Sequence, residues 1–138
     1  MHKKKAYYAL LAAQKAALTY LKEASTPTSA RGGLANGATT GQSVSGAKAD
    51  QIARDVLAKE GFPNYPHSLG HSLGLAIHEG PRLSVKRDEL LVPGNVFTVE
   101  PGIYVEGQYG IRIEDLVSLT EDGIEVLSKS SKELITLK

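Results

Sequence analysis

Apolar side chains recur every three or four positions over the first part of the chain, with alanines between them. The larger ones are Tyr7, Leu10, Leu11, Leu18 and Leu21. Alanine is the best helix former, and this spacing gathers the larger side chains on one side of a helix. Residues 1–24 are therefore predicted to form one amphipathic helix.

The next stretch, residues 25–46, has a different composition. It is made largely of Ser, Thr and Ala with five glycines, and it contains no acidic residue. Too little of it can be buried to offset the entropy of ordering, so a flexible loop is predicted. No Gly-Lys-Ser/Thr or GxGxxG pattern is present, which disfavours a phosphate-binding loop.

A second helix is predicted over residues 47–60. Its apolar stripe is formed by Ile52, Val56 and Leu57, with Ser45 as a plausible N-cap and Gly61 as the stop. Asp50 and Asp55 lie about 140° apart around this helix, so they cannot converge on one ion. Both are interpreted as solvated helix charges.

Residues 64–138 are predicted to form a sheet, because glycines and prolines separate short runs rich in β-forming residues. Glu121-Asp122-Gly123 is typical of a hairpin turn. The fold class predicted for the chain is a single α+β domain with two helices packed on a mostly antiparallel sheet. The predicted strands are Leu73–Ile77, Val96–Val99, Ile103–Val105, Ile111–Thr120 and Ile124–Leu127.

Composition narrows the possible functions. The chain has 138 residues with 16 basic and 15 acidic side chains, so its net charge of +1 gives no electrostatic case for a nucleic-acid partner. No apolar run approaches the roughly 20 residues of a membrane-spanning helix. Cysteine is absent, which excludes disulfides and thiolate ligands and favours a reducing, cytoplasmic location.

Three of the four histidines fall in one segment, HSLGHSLGLAIHEGP, at His67, His71 and His78. Gly70 and Gly74 argue against a helix here, so a loop that enters a strand is expected. A solitary histidine is more often a structural residue than a ligand. Spacing alone leaves a cluster of three equally open to either interpretation.

Two glutamates lie where strands are predicted. Glu100 and Glu114 would both project from the face opposite the isoleucines of GIRIEDLVSL. Exposed carboxylates would need no explanation, whereas two carboxylates close together in a cleft would repel unless a cation lay between them. An imidazole with two carboxylates suits manganese, zinc or cobalt. Arg112 could orient one of the carboxylates without itself contacting the ion.

Three motifs at these separations closely resemble the C-terminal part of the pita-bread metallopeptidases: HSLGHSLGLAIHEGPRLS, VEPGIY and GIRIED. The similarity covers about residues 47–137. The branch that the chain resembles most is that of the Xaa-Pro dipeptidases (prolidases) and aminopeptidase P. Creatinases share the scaffold without using a metal, and the presence of both Glu100 and Glu114 favours the metal-using branch.

The resemblance implies roles for individual residues. His71, Glu100 and Glu114 would be metal ligands, with Glu114 bridging two ions and Glu100 also acting as general base. His67 and His78 would contact a proline-containing peptide substrate, and one of them would stabilise or protonate the tetrahedral intermediate. The implied cofactor is a divalent metal, manganese, cobalt or zinc, with two ions in the complete family site.

The family's first two ligands are aspartates on an N-terminal hairpin, and no such stretch occurs in this sequence. The chain therefore resembles the second half of the fold, with at most one metal position well formed. The missing half or a second copy of the chain is expected to cover it, and the chain alone is expected to be weakly active or inactive. A non-catalytic peptide- or protein-binding module remains the alternative, and the sequence does not distinguish a natural half from a split-gene product.

Overall fold

The computed structural model of the chain describes residues 2–26 and 43–137. Two helices, α1 (His2–Ser25) and α2 (Gly46–Lys59), flank the two-residue strand β1 (Val44–Ser45). Nine strands follow in chain order: β2 (Gly70–Ser72), β3 (Glu79–Ser84), β4 (Arg87–Asp88), β5 (Leu90–Leu91), β6 (Val96–Val99), β7 (Gly102–Val105), β8 (Tyr109–Arg112), β9 (Asp115–Thr120) and β10 (Gly123–Val126).

Six of these strands form one sheet in the order β10-β9-β6-β2-β3-β4, and every pairing in it is antiparallel. Two further antiparallel pairs, β1 with β5 and β7 with β8, lie outside that sheet. The hairpin predicted at Glu121-Asp122-Gly123 joins β9 to β10. The predicted class, two helices with a mostly antiparallel sheet, is therefore confirmed.

Two of the predicted strands differ from the structure. Leu73–Ile77 is not a strand but a turn between β2 and β3, in which the Gly74 N–H donates to the Ala76 carbonyl. Leu75 and Ile77 are exposed, because no strand or helix among the described residues covers them. The predicted strand Ile111–Thr120 is divided into β8 and β9, which pair with different partners.

The two helices pack against each other and supply much of the core. The helices can approach closely because several of their buried side chains are small: Ala13 and Ala17 on α1, and Ala49 and Ala53 on α2. The Ser45 side chain accepts a hydrogen bond from the Lys48 N–H at 3.0 Å, which confirms the predicted N-cap.

The predicted flexible loop, 25–46, lies mostly outside the described residues. At its described ends the predicted limits are too wide, because three parts of the stretch belong to regular elements. Ser25 is the last residue of α1, Val44–Ser45 pairs with Leu90–Leu91, and Gly46 is the first residue of α2. A side chain at Gly46 would have its Cβ 2.6 Å from the Arg82 carbonyl oxygen, so the close approach of α2 to β3 requires glycine there.

Asp50 departs from the solvated role expected of it, because its side chain is fully buried (0% exposed). It accepts hydrogen bonds from the Tyr65 hydroxyl at 2.6 Å, the Arg54 Nε at 2.9 Å and the Val85 N–H at 2.9 Å. Burial, followed by the nearby charge of Asp50, raises the pKa of Tyr65, which therefore stays protonated as a donor. Asp55 is exposed as expected.

In the part of the chain that the structure describes, neither helix is long and apolar enough to cross a bilayer.

Replacing Asp50 with alanine is expected to destabilise the fold by about 3 kcal/mol, since it leaves the Arg54 guanidinium without its buried partner. Urea unfolding measures this loss. Asp55→Ala is the matched control, because Asp55 is an exposed aspartate on the same helix, and a change below about 0.5 kcal/mol is expected for it. Equal losses for the two variants would contradict the structural role of Asp50.

Candidate active site

One continuous antiparallel ribbon carries both candidate glutamates. It consists of β6 with β9 and β7 with β8, and the flanking pairs Val99↔Asp115 and Gly102↔Arg112 keep the same register. Glu100 and Glu114 therefore occupy facing positions in the gap between the two ladders. Pro101 lies in this gap and has no N–H to donate, which accounts for the break in the ladder.

Strand β2 brings His71 to this gap. It runs so close to β6 that a Cβ at Gly70 would lie 1.8 Å from the Thr98 carbonyl oxygen, so only glycine fits. The Glu100 N–H donates to the Leu69 carbonyl at 2.7 Å, which fixes Glu100 to the residue before Gly70. His71 consequently lies beside the Glu100 carboxylate.

Three side chains surround the Glu100 carboxylate. The residue as a whole is only 7% exposed. The Thr98 hydroxyl donates to Oε1 at 2.8 Å, and Arg112 Nη1 donates to Oε2 at 3.0 Å. The hydrogen bond to Glu100 is the main factor that raises the pKa of Arg112. The third neighbour is His71, with Nε2 at 3.3 Å from Oε1.

The other ring nitrogen of His71 determines what Nε2 can do. Nδ1 lies 3.1 Å from the Ser72 carbonyl oxygen, which can only accept, so Nδ1 carries the hydrogen. In the neutral ring Nε2 then presents a lone pair to the lone pairs of Glu100 Oε1. The contact between Nε2 and Oε1 is stable when the two atoms share a proton or a metal cation. A backbone carbonyl that accepts from the other ring nitrogen is typical of metal-binding histidines.

His67 is held in a different way. Its Nδ1 lies 2.8 Å from the Ser68 carbonyl and therefore donates to it, while Nε2 accepts from the Tyr104 hydroxyl at 2.9 Å. Tyr104 is a site residue that sequence reasoning missed. Its ring lies over Gly102, where a Cβ would be 2.6 Å from the ring, so the glycine two residues earlier is the signal that could have indicated it.

The segment before His67 is fixed by Arg54 of α2. The guanidinium donates from Nη1 to the Tyr65 carbonyl at 3.0 Å and from Nη2 to the His67 carbonyl at 2.7 Å. It also lies over the Tyr65 ring, 4.2 Å from its centroid. The buried Asp50 holds this arginine in place, so α2 positions the backbone at His67.

A cleft of about 190 Å³ opens between these groups. His78 lies at it with its ring edge-on to His71, the two centroids 4.4 Å apart. The Glu79 carboxylate accepts from the Ala76 N–H at 2.6 Å and so restrains the turn that leads to His78. The cleft is lined by His67, Ser68, His71, His78, Arg82, Glu100 and Arg112.

Five of the six predicted site residues thus line one cleft. The exception is Glu114, whose side chain is exposed and does not line it, although its backbone faces Glu100. Within residues 2–26 and 43–137, no three or more His, Cys, Asp or Glu side chains are grouped so as to hold a metal ion. Glu100 and His71 are the two candidate metal ligands whose side chains are in direct contact.

Comparison with known proteins agrees with the two-helix α+β fold. The sequence model of Metallopeptidase family M24 matches residues 1–121. The chain belongs to this family.

Among curated relatives, the chain is 47% identical over 95 residues to the uncharacterized peptidase YqhT of Bacillus subtilis, covering 68% of this chain and 27% of that protein. It is 47% identical over 87 residues to the Xaa-Pro dipeptidase of Pyrococcus furiosus, covering 62% of this chain and 25% of the dipeptidase. The chain thus spans about a quarter of the length of these relatives.

Solved structures show the same relation. The X-Pro aminopeptidase from Thermotoga maritima superposes with a TM-score of 0.77 at 38% identity, over 96% of this chain and 32% of the aminopeptidase. The prolidase from Pyrococcus furiosus superposes with a TM-score of 0.75 at 36% identity, over 95% of this chain and 34% of the prolidase. The chain therefore has part of the pita-bread fold of these proteins, as the sequence motifs predicted.

Replacing Tyr104 with phenylalanine is expected to remove the donor to His67 Nε2 and to cost about 1 kcal/mol of stability. It should also shift the Nε2 resonance of His67, but not that of His78, in long-range ¹H–¹⁵N spectra. Tyr109→Phe is the control, because the Tyr109 hydroxyl bonds to His2 in an exposed position. An unchanged His67 resonance in Tyr104→Phe would show that the hydrogen bond does not form in solution.

Proposed function

We propose that this chain carries the C-terminal half of the active site of a metal-dependent peptidase that cleaves the bond before proline. The observation that supports this most directly is the contact of His71 Nε2 with Glu100 Oε1, two acceptors that require a shared cation or proton. Membership of the M24 family and the Xaa-Pro peptidases among its relatives support the substrate class.

His71, Glu100 and Glu114 are the residues that would hold the ion. Imidazole nitrogen and carboxylate oxygen suit manganese, cobalt or zinc, so the donor types fit a divalent metal. The backbone of Glu114 faces Glu100, but its carboxylate would have to turn toward the cleft to complete the set. We therefore propose weak binding of one ion by the chain alone.

A bound divalent ion would supply a water of lowered pKa and polarise the scissile carbonyl. Glu100 would accept the proton of the attacking water, with its carboxylate held in a fixed plane by Thr98 and Arg112. His78 is exposed beside His71 and would protonate the leaving amine. His67 would contact the substrate through Nε2 once the Tyr104 hydroxyl gives up that position.

A non-catalytic peptide- or protein-binding module is the second candidate. The observation in its favour is the ion pair of Arg112 with Glu100, which compensates the carboxylate without any metal. The cleft between His67 and Arg82 would then hold a peptide without cleaving it. The two candidates differ in whether the chain binds divalent ions.

We also propose that a further chain covers part of this domain in a cytoplasmic enzyme. Leu75 and Ile77 are exposed in the turn that leads to His78, a residue that lines the cleft. The relatives are about two and a half to three times as long, so an N-terminal half is the natural cover, and a second copy of this chain is the alternative.

Metal binding is tested by calorimetric titration of the chain with MnCl₂ and CoCl₂. His71→Ala and Glu100→Gln are each expected to weaken binding by about tenfold or more, because each removes a ligand. Glu114→Gln should weaken binding as well if its carboxylate joins the set. Glu125→Gln, an exposed glutamate on β10, is the matched control, and equal affinity in all variants would contradict the proposed ligands.

Hydrolysis of Gly-Pro is the test of activity. We expect little or no turnover by the isolated chain with manganese or cobalt, because three ligands leave the two-ion family site incomplete. Robust cobalt-stimulated turnover that disappears in Glu100→Gln would contradict the half-site interpretation while supporting the peptidase assignment. If the chain binds no divalent ion and shows no turnover even in the presence of an M24 N-terminal half, the binding module is favoured.

A further inference from the structure

Gln14 is a polar side chain on the buried face of α1, where the hydrophobic pattern would favour an apolar residue. It is only 2% exposed, and its helix neighbours Leu10, Ala13 and Ala17 are fully buried. Burying a primary amide without hydrogen bonds is costly, so its contacts should account for its presence.

Those contacts lead to the gap in the ribbon. The Gln14 Nε2 group donates to the Val99 carbonyl at 3.0 Å and to the Ile113 carbonyl at 3.2 Å. An amide NH₂ has two hydrogens, so one side chain can satisfy both acceptors. Val99 directly precedes Glu100, and Ile113 directly precedes Glu114, so Gln14 bonds the backbone next to each glutamate.

The gap needs such a connection, because its own ladder is weak. Pro101 has no N–H, and the backbone hydrogen bond across the gap, from the Ile113 N–H to the Pro101 carbonyl, is long at 3.4 Å. Gln14 spans both strands of the ribbon at this weak point, from a helix that packs behind it.

We propose that Gln14 is a positioning residue that sets the separation of the backbone at Glu100 and Glu114, and through it the spacing of the two carboxylate ligands. The effect on metal affinity rests on the proposed function. The effect on the strands does not, because the hydrogen bonds are made to backbone carbonyls whatever the ion.

Gln14→Met tests the proposal, because methionine has a similar length and no donor. In hydrogen-exchange measurements on the metal-free chain, the amides of Glu100 and Ile113 should exchange about tenfold faster, as expected for one lost hydrogen bond. Amides of β6 and β9 farther from the gap should change much less. Manganese affinity measured by calorimetry should fall about 10- to 100-fold.

Leu21→Ala is the matched control, since it removes buried apolar volume from the same helix two turns away. It should lower the unfolding temperature without a selective effect on the gap amides or on manganese affinity. Should Gln14→Met fail to fold, Gln14→Asn keeps the amide but shortens its reach, and the same selective change is expected in it.

The outcomes separate this inference from the proposed function. If the unaltered chain binds no manganese, the metal assignment fails, yet selective exchange at the gap would still support the role of Gln14. If manganese binds normally to Gln14→Met and its gap amides are as protected as before, Gln14 is not a positioning residue. Uniform loss of protection, matching Leu21→Ala, would also overturn the proposal.

Discussion

The candidate site depends on the register that β6 and β9 share with β7 and β8 across the gap between them. A slip of one residue would turn every side chain of a strand to the opposite face. Phe97 and Val99 would leave the core, and Glu100 would no longer face Glu114. The burial of the apolar face therefore also places the backbone of the two glutamates in facing positions.

The two oxygens of Glu100 have different environments, and this difference decides where a cation can bind. Oε2 is paired with Arg112, whose guanidinium stays charged and cannot act as a ligand. Oε1 accepts from Thr98 and lies 3.3 Å from Nε2 of His71. A cation is therefore favoured between Oε1 and Nε2, while Arg112 limits the negative charge that the buried carboxylate presents there.

Local patterns predicted what depends on local forces. The helices, the Ser45 cap and the strand Val96–Val99 follow from propensity and periodicity. The resemblance of the motifs to a known family implied the candidate site residues, five of which line the cleft. Where strand pairing or burial depends on distant parts of the chain, local sequence patterns were insufficient to predict it. Leu73–Ile77 has strand composition but no partner strand, and Asp50 is buried because Tyr65 and a later turn close over it. Tyr104 reaches His67 across 37 positions, a contact that only the folded chain creates.

The helices do more than cover the sheet, because each one holds backbone at the cleft through a single polar side chain. Arg54, anchored by Asp50, bonds to the carbonyl of His67, and Gln14 bonds to the carbonyls that precede the two glutamates. Carbonyls are present whatever side chain a position carries, so these bonds fix where the backbone lies independently of the side chains there. In the proposed peptidase, selection among peptides would then come from the side chains that line the cleft and from whatever covers the exposed turn beside His78.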